Sequence, residues 1–151
     1  MNRFLASIIV CAGLIALAPA SVAAQQASAR AYRVVVNAQN PVGVMSATEV
    51  SQLFLRKQQA WRHNGSQILP VEPTEGSSVR DAFVREIHHK DESALKSYWR
   101  QMIFSGKAVP PPTEQSDAAV LDYVRRYPNA IGYVSATAML PADVKPVTIS
   151  N

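Results

Sequence analysis

A chain of 151 residues, 48% hydrophobic and 17% charged with a net charge of +4, has the length of one ordinary domain. Its one cysteine is Cys11, which excludes a disulfide framework and a thiolate metal cluster. The cations are dispersed and no basic run is studded with aromatics, so the charge is read as a solvated surface and not as a nucleic-acid footprint.

The first residues, Met-Asn-Arg, lead into an apolar run over 4–17, then Pro19 and small residues up to Ala24. These are the three regions of a secretory signal peptide. The run is shorter than the roughly 20 residues a bilayer span needs, so residues 1–24 are read as a cleaved export signal and not as an anchor. Ile9 and Val10 occupy positions where a lipoprotein site wants small residues before Cys11. Cleavage after Ala24 removes the cysteine and leaves 127 residues with a net charge near +3 and no further membrane span. Residues 25–31, small and polar, read as a disordered lead-in to a single domain over 32–151.

Residues 32–37, Y-R-V-V-V-N, predict a first, central strand. Pro41 and Gly43 mark a turn. Ser46 and Glu49 then stand at capping-box spacing before Val50, Leu53 and Phe54, predicting a helix over 46–55. In the turn-rich stretch 56–65, Trp61 has two uses, closing the core or stacking on a ligand. Arg56, Lys57 and Arg62 are either solvated or a source of positive potential near an anion site. Ile68, Leu69 and Val71 predict a short buried strand, with Pro70 confined to an edge or an end.

A helix starts at Ser77, carries Val79, Phe83 and Ile87 on one face, and ends at His88-His89-Lys90, where cations complement the dipole. Asp91 caps a helix to about residue 104 whose apolar side holds Leu95, Trp99, Met102 and Ile103. Ser105-Gly106-Lys107 ends it, and prolines 110–112 form a stiff extended connector. Ser116 caps the next helix, which buries Ala119, Val120, Tyr123 and Val124, carries Arg125 and Arg126 in its last turn, and is broken by Pro128-Asn129. Residues 130–134, A-I-G-Y-V, predict a short buried strand whose Gly132 permits close approach of a backbone or a ligand. Residues 135–140 predict a brief helical turn and 144–149 a last strand. Strands alternating with helices predict an α/β layered domain.

The stretch richest in chemistry is 71–83, V-E-P-T-E-G-S-S-V-R-D-A-F. Ser77 is placed to cap the helix by accepting from the N–H of Val79 or Arg80. A helix start bares N–H groups and carries the positive end of the macrodipole, which suits an anion. Arg80 sits at the third helical position, where the dipole disfavours a cation by roughly 0.3–1 kcal/mol, so a negative group is expected beside it. Two sources are open. One is a bound oxyanion held by Gly76, Ser77, Ser78 and Arg80; the other is an internal pair with Glu75 or Glu72, or simple solvation.

Catalytic and metal motifs are not found. There is no G-x-S-x-G elbow and no H-E-x-x-H, and Arg80, which stays protonated, is no base for Ser77. His88 and His89, adjacent on a helix, point in different directions, and His63 is remote in sequence. No catalytic residue, metal or cofactor is therefore predicted.

Several segments follow one another in the order seen in phosphate ABC transporter substrate-binding proteins. They are F-L-R-K at 54–57, Trp61, G-x-x-I-L-P-V at 65–71, G-S-S-V-R-x-A-F at 76–83, Trp99, F-S-G-K at 104–107, Pro111 and N-A-I-G-Y-V at 129–134. From about residue 34 to 147 the chain resembles that family. The resemblance implies a single lobe of a type 2 periplasmic-binding-protein-like fold, α/β, with a central mixed β-sheet flanked by helices. The family's ligand turn, R-S-D-G-S-G-T, falls on residues 73–79. There Ser77 matches a phosphate-contacting Ser and Glu75 stands for the Asp, while Pro73 replaces the Arg and Val79 the Thr.

Function follows from the resemblance as an expectation: an exported, periplasmic phosphate-receptor-like module linked to phosphate uptake or sensing. It implies inorganic phosphate or a similar oxyanion as ligand, and a transporter, a sensor or a second copy as the partner that closes the site. The alternative is a lobe without ligand that serves as an extracytoplasmic interaction or sensor accessory protein. Arg80 separates the two, facing an open mouth in the first and paired within the protein or against a partner in the second.

Overall fold

Three consecutive valines set the layers. In strand β1, Tyr32–Asn37, the side chains of Val34 and Val36 join one hydrophobic cluster and that of Val35 joins another, because successive strand residues point to opposite faces. The computed structural model describes residues 30–150; the export signal and the lead-in up to residue 29 lie outside the described residues. After β1 come β2 Val44–Ser46, α1 Ala47–Phe54, β3 Leu69–Pro73, α2 Ser78–Ile87 and α3 Glu92–Phe104. β4 Thr113–Glu114, α4 Asp117–Arg126, β5 Ala130–Ser135 and β6 Val144–Ser150 complete the order.

The strands form one six-stranded sheet in the order β2-β6-β1-β5-β3-β4. It is mixed: β1 is antiparallel to β5 and β6, while β3 runs parallel to β5 and β4, and β2 parallel to β6. On one face Val34, Val36, Ile131 and Tyr133 meet Val50, Leu53 and Phe54 of α1 and Phe83 and Ile87 of α2. Phe83 stacks on Tyr133 with ring centres 3.8 Å apart, which fixes α2 on the sheet. On the other face Val35, Val71 and Val134 meet Val120, Leu121 and Val124 of α4. Gly132 allows that approach, since a Cβ there would stand 2.9 Å from Val120 Cγ1 and Val71 Cγ1. The close neighbours are side chains, where the sequence had suggested a backbone or a ligand.

The expected caps are present. Ser46 and Glu49 form a reciprocal capping box, and Ser77, Asp91 and Ser116 each accept from the backbone N–H three residues on. Pro70 lies inside β3 opposite Ile131, ahead of the Glu72–Thr113 pairing with β4, so its missing N–H breaks no bond to that short strand. Trp61 is buried and its Nε1 donates to the Asn129 carbonyl at 3.0 Å, so its ring closes the core.

Several expectations are corrected. Ser135 still belongs to β5, 136–137 form a turn, and no helix is present over 135–140. Strands β2 and β4, too short to carry a pattern, were not expected. His88 is buried with Nδ1 2.9 Å from Ser51 Oγ, and burial with Arg80 nearby holds its pKa down at about 4, so it is no cation for the α2 dipole. Ile103 is exposed, because α3 packs through Leu95 and Trp99 against Leu55 and Val84 and its last turn runs past them.

Candidate functional site

The turn into α2 is built from the end of β3. Gly76 has φ 82°, a left-handed conformation in which only glycine is unstrained, and it lets the chain reverse from the strand into the helix. Ser77 follows in an extended conformation (φ −77°, ψ 138°), and its Oγ accepts from the Arg80 N–H at 3.2 Å while its carbonyl accepts from Asp81 N–H at 3.0 Å. The Ser77 N–H turns back to the Thr74 carbonyl at 3.3 Å. The N–H groups of Ser78 and Val79 find no acceptor among the described residues. Ser78 and Gly76 are exposed and Ser77 is half-buried. The structure thus brings Gly76, Ser77 and Ser78 together at an open helix start.

Arg80 is directed elsewhere. It is only 7% exposed, and its guanidinium is gripped from three sides. Nε donates to Glu92 Oε1 at 2.8 Å, and Nη1 donates to Glu72 Oε2 at 2.8 Å and to the Pro73 carbonyl at 3.2 Å. Nη2 has no acceptor among the described residues. The anion that the sequence demanded beside Arg80 is therefore supplied by Glu72 of β3 and Glu92 of α3. Glu75, the other partner weighed from sequence, pairs with Lys96 instead. Glu72 is 1% exposed, and burial, with Glu92 adding repulsion, lifts its carboxyl to about 7 against the pull of Arg80. The Tyr133 hydroxyl is buried and finds no partner among the described residues; burial and the Glu72 carboxylate hold its pKa well above the usual tyrosine range.

This cluster borders a cleft of about 740 Å³. Glu72, Arg80 and Glu92 line it together with Trp99 and Ile103 of α3, and the connector at Pro110, Pro111 and Pro112 forms another part of its wall. Arg56 and Arg62 lie outside that cleft and are engaged locally, Arg56 with the Ile68 carbonyl and Arg62 with Glu49. Among the described residues no group of three or more His, Cys, Asp or Glu gathers as a metal site, and no helix is long and apolar enough to cross a membrane.

No protein-family model and no curated protein matches the chain. Solved structures do. A protein of Clostridium perfringens assigned as a phosphate ABC transporter substrate-binding protein, with phosphate bound, matches at a TM-score of 0.60 and 21% identity over 79% of this chain and 44% of its own. An ABC-type phosphate transport receptor of Vibrio cholerae matches at 0.61 and 17% identity over 78% of this chain and 45% of its own. A protein of Planctomyces limnophilus assigned to phosphate binding matches at 0.60 and 18% identity over 80% and 42% of the two chains.

The chain has the fold of these phosphate receptors. The likeness is one of architecture, a mixed sheet with helices on both faces, and the chain spans less than half the length of each of these three proteins. Within this receptor-like fold the sequence located the exposed turn but missed Glu92 as a partner of Arg80. The two residues are 12 positions apart and meet only because the chain reverses between α2 and α3, where His89 adopts φ 52°. The cleft wall at Pro110, Pro111 and Pro112 was visible as a connector, but nothing local told that it would face α3.

Proposed function

We propose that the chain is an exported, phosphate-receptor-like solute-binding lobe that seats phosphate or a similar oxyanion on the start of α2. The observation that carries this reading is the pair of N–H groups at Ser78 and Val79, without an acceptor among the described residues at the positive end of α2, on a fold shared with phosphate receptors. The hydroxyls of Ser77 and Ser78 complete the donor set, and Gly76 keeps the approach free of a side chain. Arg80 acts in this site from below, tying the turn down through Glu72, Glu92 and the Pro73 carbonyl. No bond is made or broken. A site on one lobe is open and wet, so its affinity is modest until a transporter, a sensor or a second copy of the chain closes it.

Calorimetric titration of phosphate into the purified protein, with sulfate as a comparison, tests the reading. Ser78→Pro is the informative variant, because proline is tolerated at the first helical position and Ser77 is already extended, yet one N–H donor is deleted. Saturable phosphate heat, weakened about tenfold in Ser78→Pro at unchanged melting temperature, is the expected result. Absence of heat at millimolar phosphate sinks the proposal.

One observation favours the second reading, of a lobe without ligand that acts as an extracytoplasmic interaction or sensor accessory. Arg80, which an anion-binding mouth would use directly, gives Nε and Nη1 to the protein's own acceptors. The same titration decides between the two.

A further inference from the structure

The last turn of α3 stays outside the core. Arg100, Ile103 and Phe104 stand at i, i+3 and i+4 and share one side of the helix. Ile103 is 51% exposed and Phe104 90%. Beyond the turn at Gly106, Val109 is 61% exposed, and together with Ile103, Arg56 and Lys107 it lines a second hollow of about 260 Å³. Ile103 also lines the larger cleft, so it forms a ridge between two hollows. Single exposed apolar residues are ordinary, whereas large ones grouped on a hollowed surface mark a contact.

Charge tells what the contact takes. The carboxylates that line the cleft are engaged, Glu72 and Glu92 by Arg80 and Glu75 by Lys96. Arg56, Arg100 and Lys107 have no carboxylate partner among the described residues; Arg100 donates only to Ser97 Oγ and Arg56 to the Ile68 carbonyl. Two carboxylates share Arg80, yet across the two hollows Arg56, Arg80, Lys96, Arg100 and Lys107 outnumber Glu72, Glu75 and Glu92, so the surplus charge around Ile103 is positive.

We propose that the end of α3 and the following segment up to Pro112 form a docking surface for an acidic segment of a partner protein. That segment seats large apolar side chains in the hollows on either side of Ile103 and sets carboxylates against Arg56, Arg100 and Lys107. A second copy of this chain in two-fold contact would bring these same cations against one another. A lipid surface would engage only the protruding Ile103 and Phe104 and leave the hollows on either side of Ile103 unfilled. The proposal does not rest on the oxyanion reading: Thr74, Glu75 and Arg80 also line the larger cleft, but Arg100, Ile103 and Phe104 take no part in the Gly76-Ser77-Ser78 turn.

Panning short randomised displayed peptides against the purified protein, then measuring the selected peptides by fluorescence anisotropy, tests it. Selected peptides are expected to combine Asp or Glu with aromatic or leucine side chains. Phe104→Ser, Ile103→Ser and Arg100→Glu, all at exposed positions and checked for an unchanged melting temperature, are each expected to weaken them about tenfold. Selection of nothing, or of peptides indifferent to the three variants, overturns the proposal. So does sedimentation with phosphatidylserine-containing vesicles that Phe104→Ser abolishes, or a concentration-dependent dimer that the same variant dissolves. Phosphate heat is unchanged in these variants, which keeps failure here distinct from failure of the α2 site.

Discussion

Within four residues, 77 to 80, helix α2 begins in two opposite ways. Its backbone is open: the N–H donors of Ser78 and Val79 have no acceptor among the described residues. The cation of its first turn is closed: Arg80, 7% exposed, is bound by two carboxylates and a carbonyl. A cation in the first turn of a helix does demand an anion, but the demand says nothing of where the anion comes from. Here the sheet below and the next helix supply it, and the open donors remain for something else.

Breaking the closed half should have the largest effect. Arg80→Ala would leave Glu72 buried beside Glu92 with its cation gone, and we expect a loss of roughly 3–5 kcal/mol in urea denaturation. Adding Glu72→Leu should recover much of it, because removing both charges takes away the uncompensated one. A loss below about 1 kcal/mol in Arg80→Ala would mean that the cluster is not structural and that Arg80 is free to serve a ligand.

The two ends of α2 should also respond to pH with opposite sign. Glu72, with a folded pKa raised to about 7 from an ordinary 4.5, contributes stability that is present in acid and is lost as pH rises through 7. His88, held down at about 4 from an ordinary 6.5, contributes stability that is present above 6.5 and is lost as pH falls towards 4. Between pH 4.5 and 6.5 the two slopes oppose each other. Relative to the parent protein, Glu72→Gln should gain stability as pH rises across that window and His88→Gln should lose it, each by roughly 1–3 kcal/mol. Chemical denaturation at three or four pH values reads both; slopes of the same sign would refute the assignment of either group.

What the sequence disclosed and what it hid divide along the range of the interactions. The caps at Ser46, Ser77, Asp91 and Ser116 are satisfied within three residues, and all four were legible. The alternation of Val34, Val35 and Val36 likewise carries its own instruction about faces. By contrast β2 exists only because Val44 finds Thr148, and β4 only because Thr113 finds Glu72. His88 looked like a helix-end cation beside His89 and Lys90 until the packing of α1 placed Ser51 against it. Ile103 fits the apolar face of α3 by spacing, yet among the described residues no element reaches far enough to cover it. At the candidate site the same division holds: the Gly76-Ser77-Ser78 turn is local and was read, whereas the Arg80–Glu92 contact crosses a chain reversal and was not.

The open half admits the smallest and most discriminating change. Ser77→Asp keeps an N-cap acceptor of equal rank and adds a negative charge where the dipole favours one, so stability should stay within a few tenths of a kcal/mol of the parent. A bound oxyanion would then meet a carboxylate at the helix start and be repelled. If the turn seats phosphate, Ser77→Asp should abolish the phosphate-dependent rise in melting temperature, the stabilisation any native-state ligand confers, while leaving the ligand-free melting temperature in place. Ser77→Ala would show the converse, losing about 1 kcal/mol of capping and only part of the phosphate response, because Ser78 and Val79 still present their N–H groups. A phosphate response that survives Ser77→Asp would place the anion away from α2.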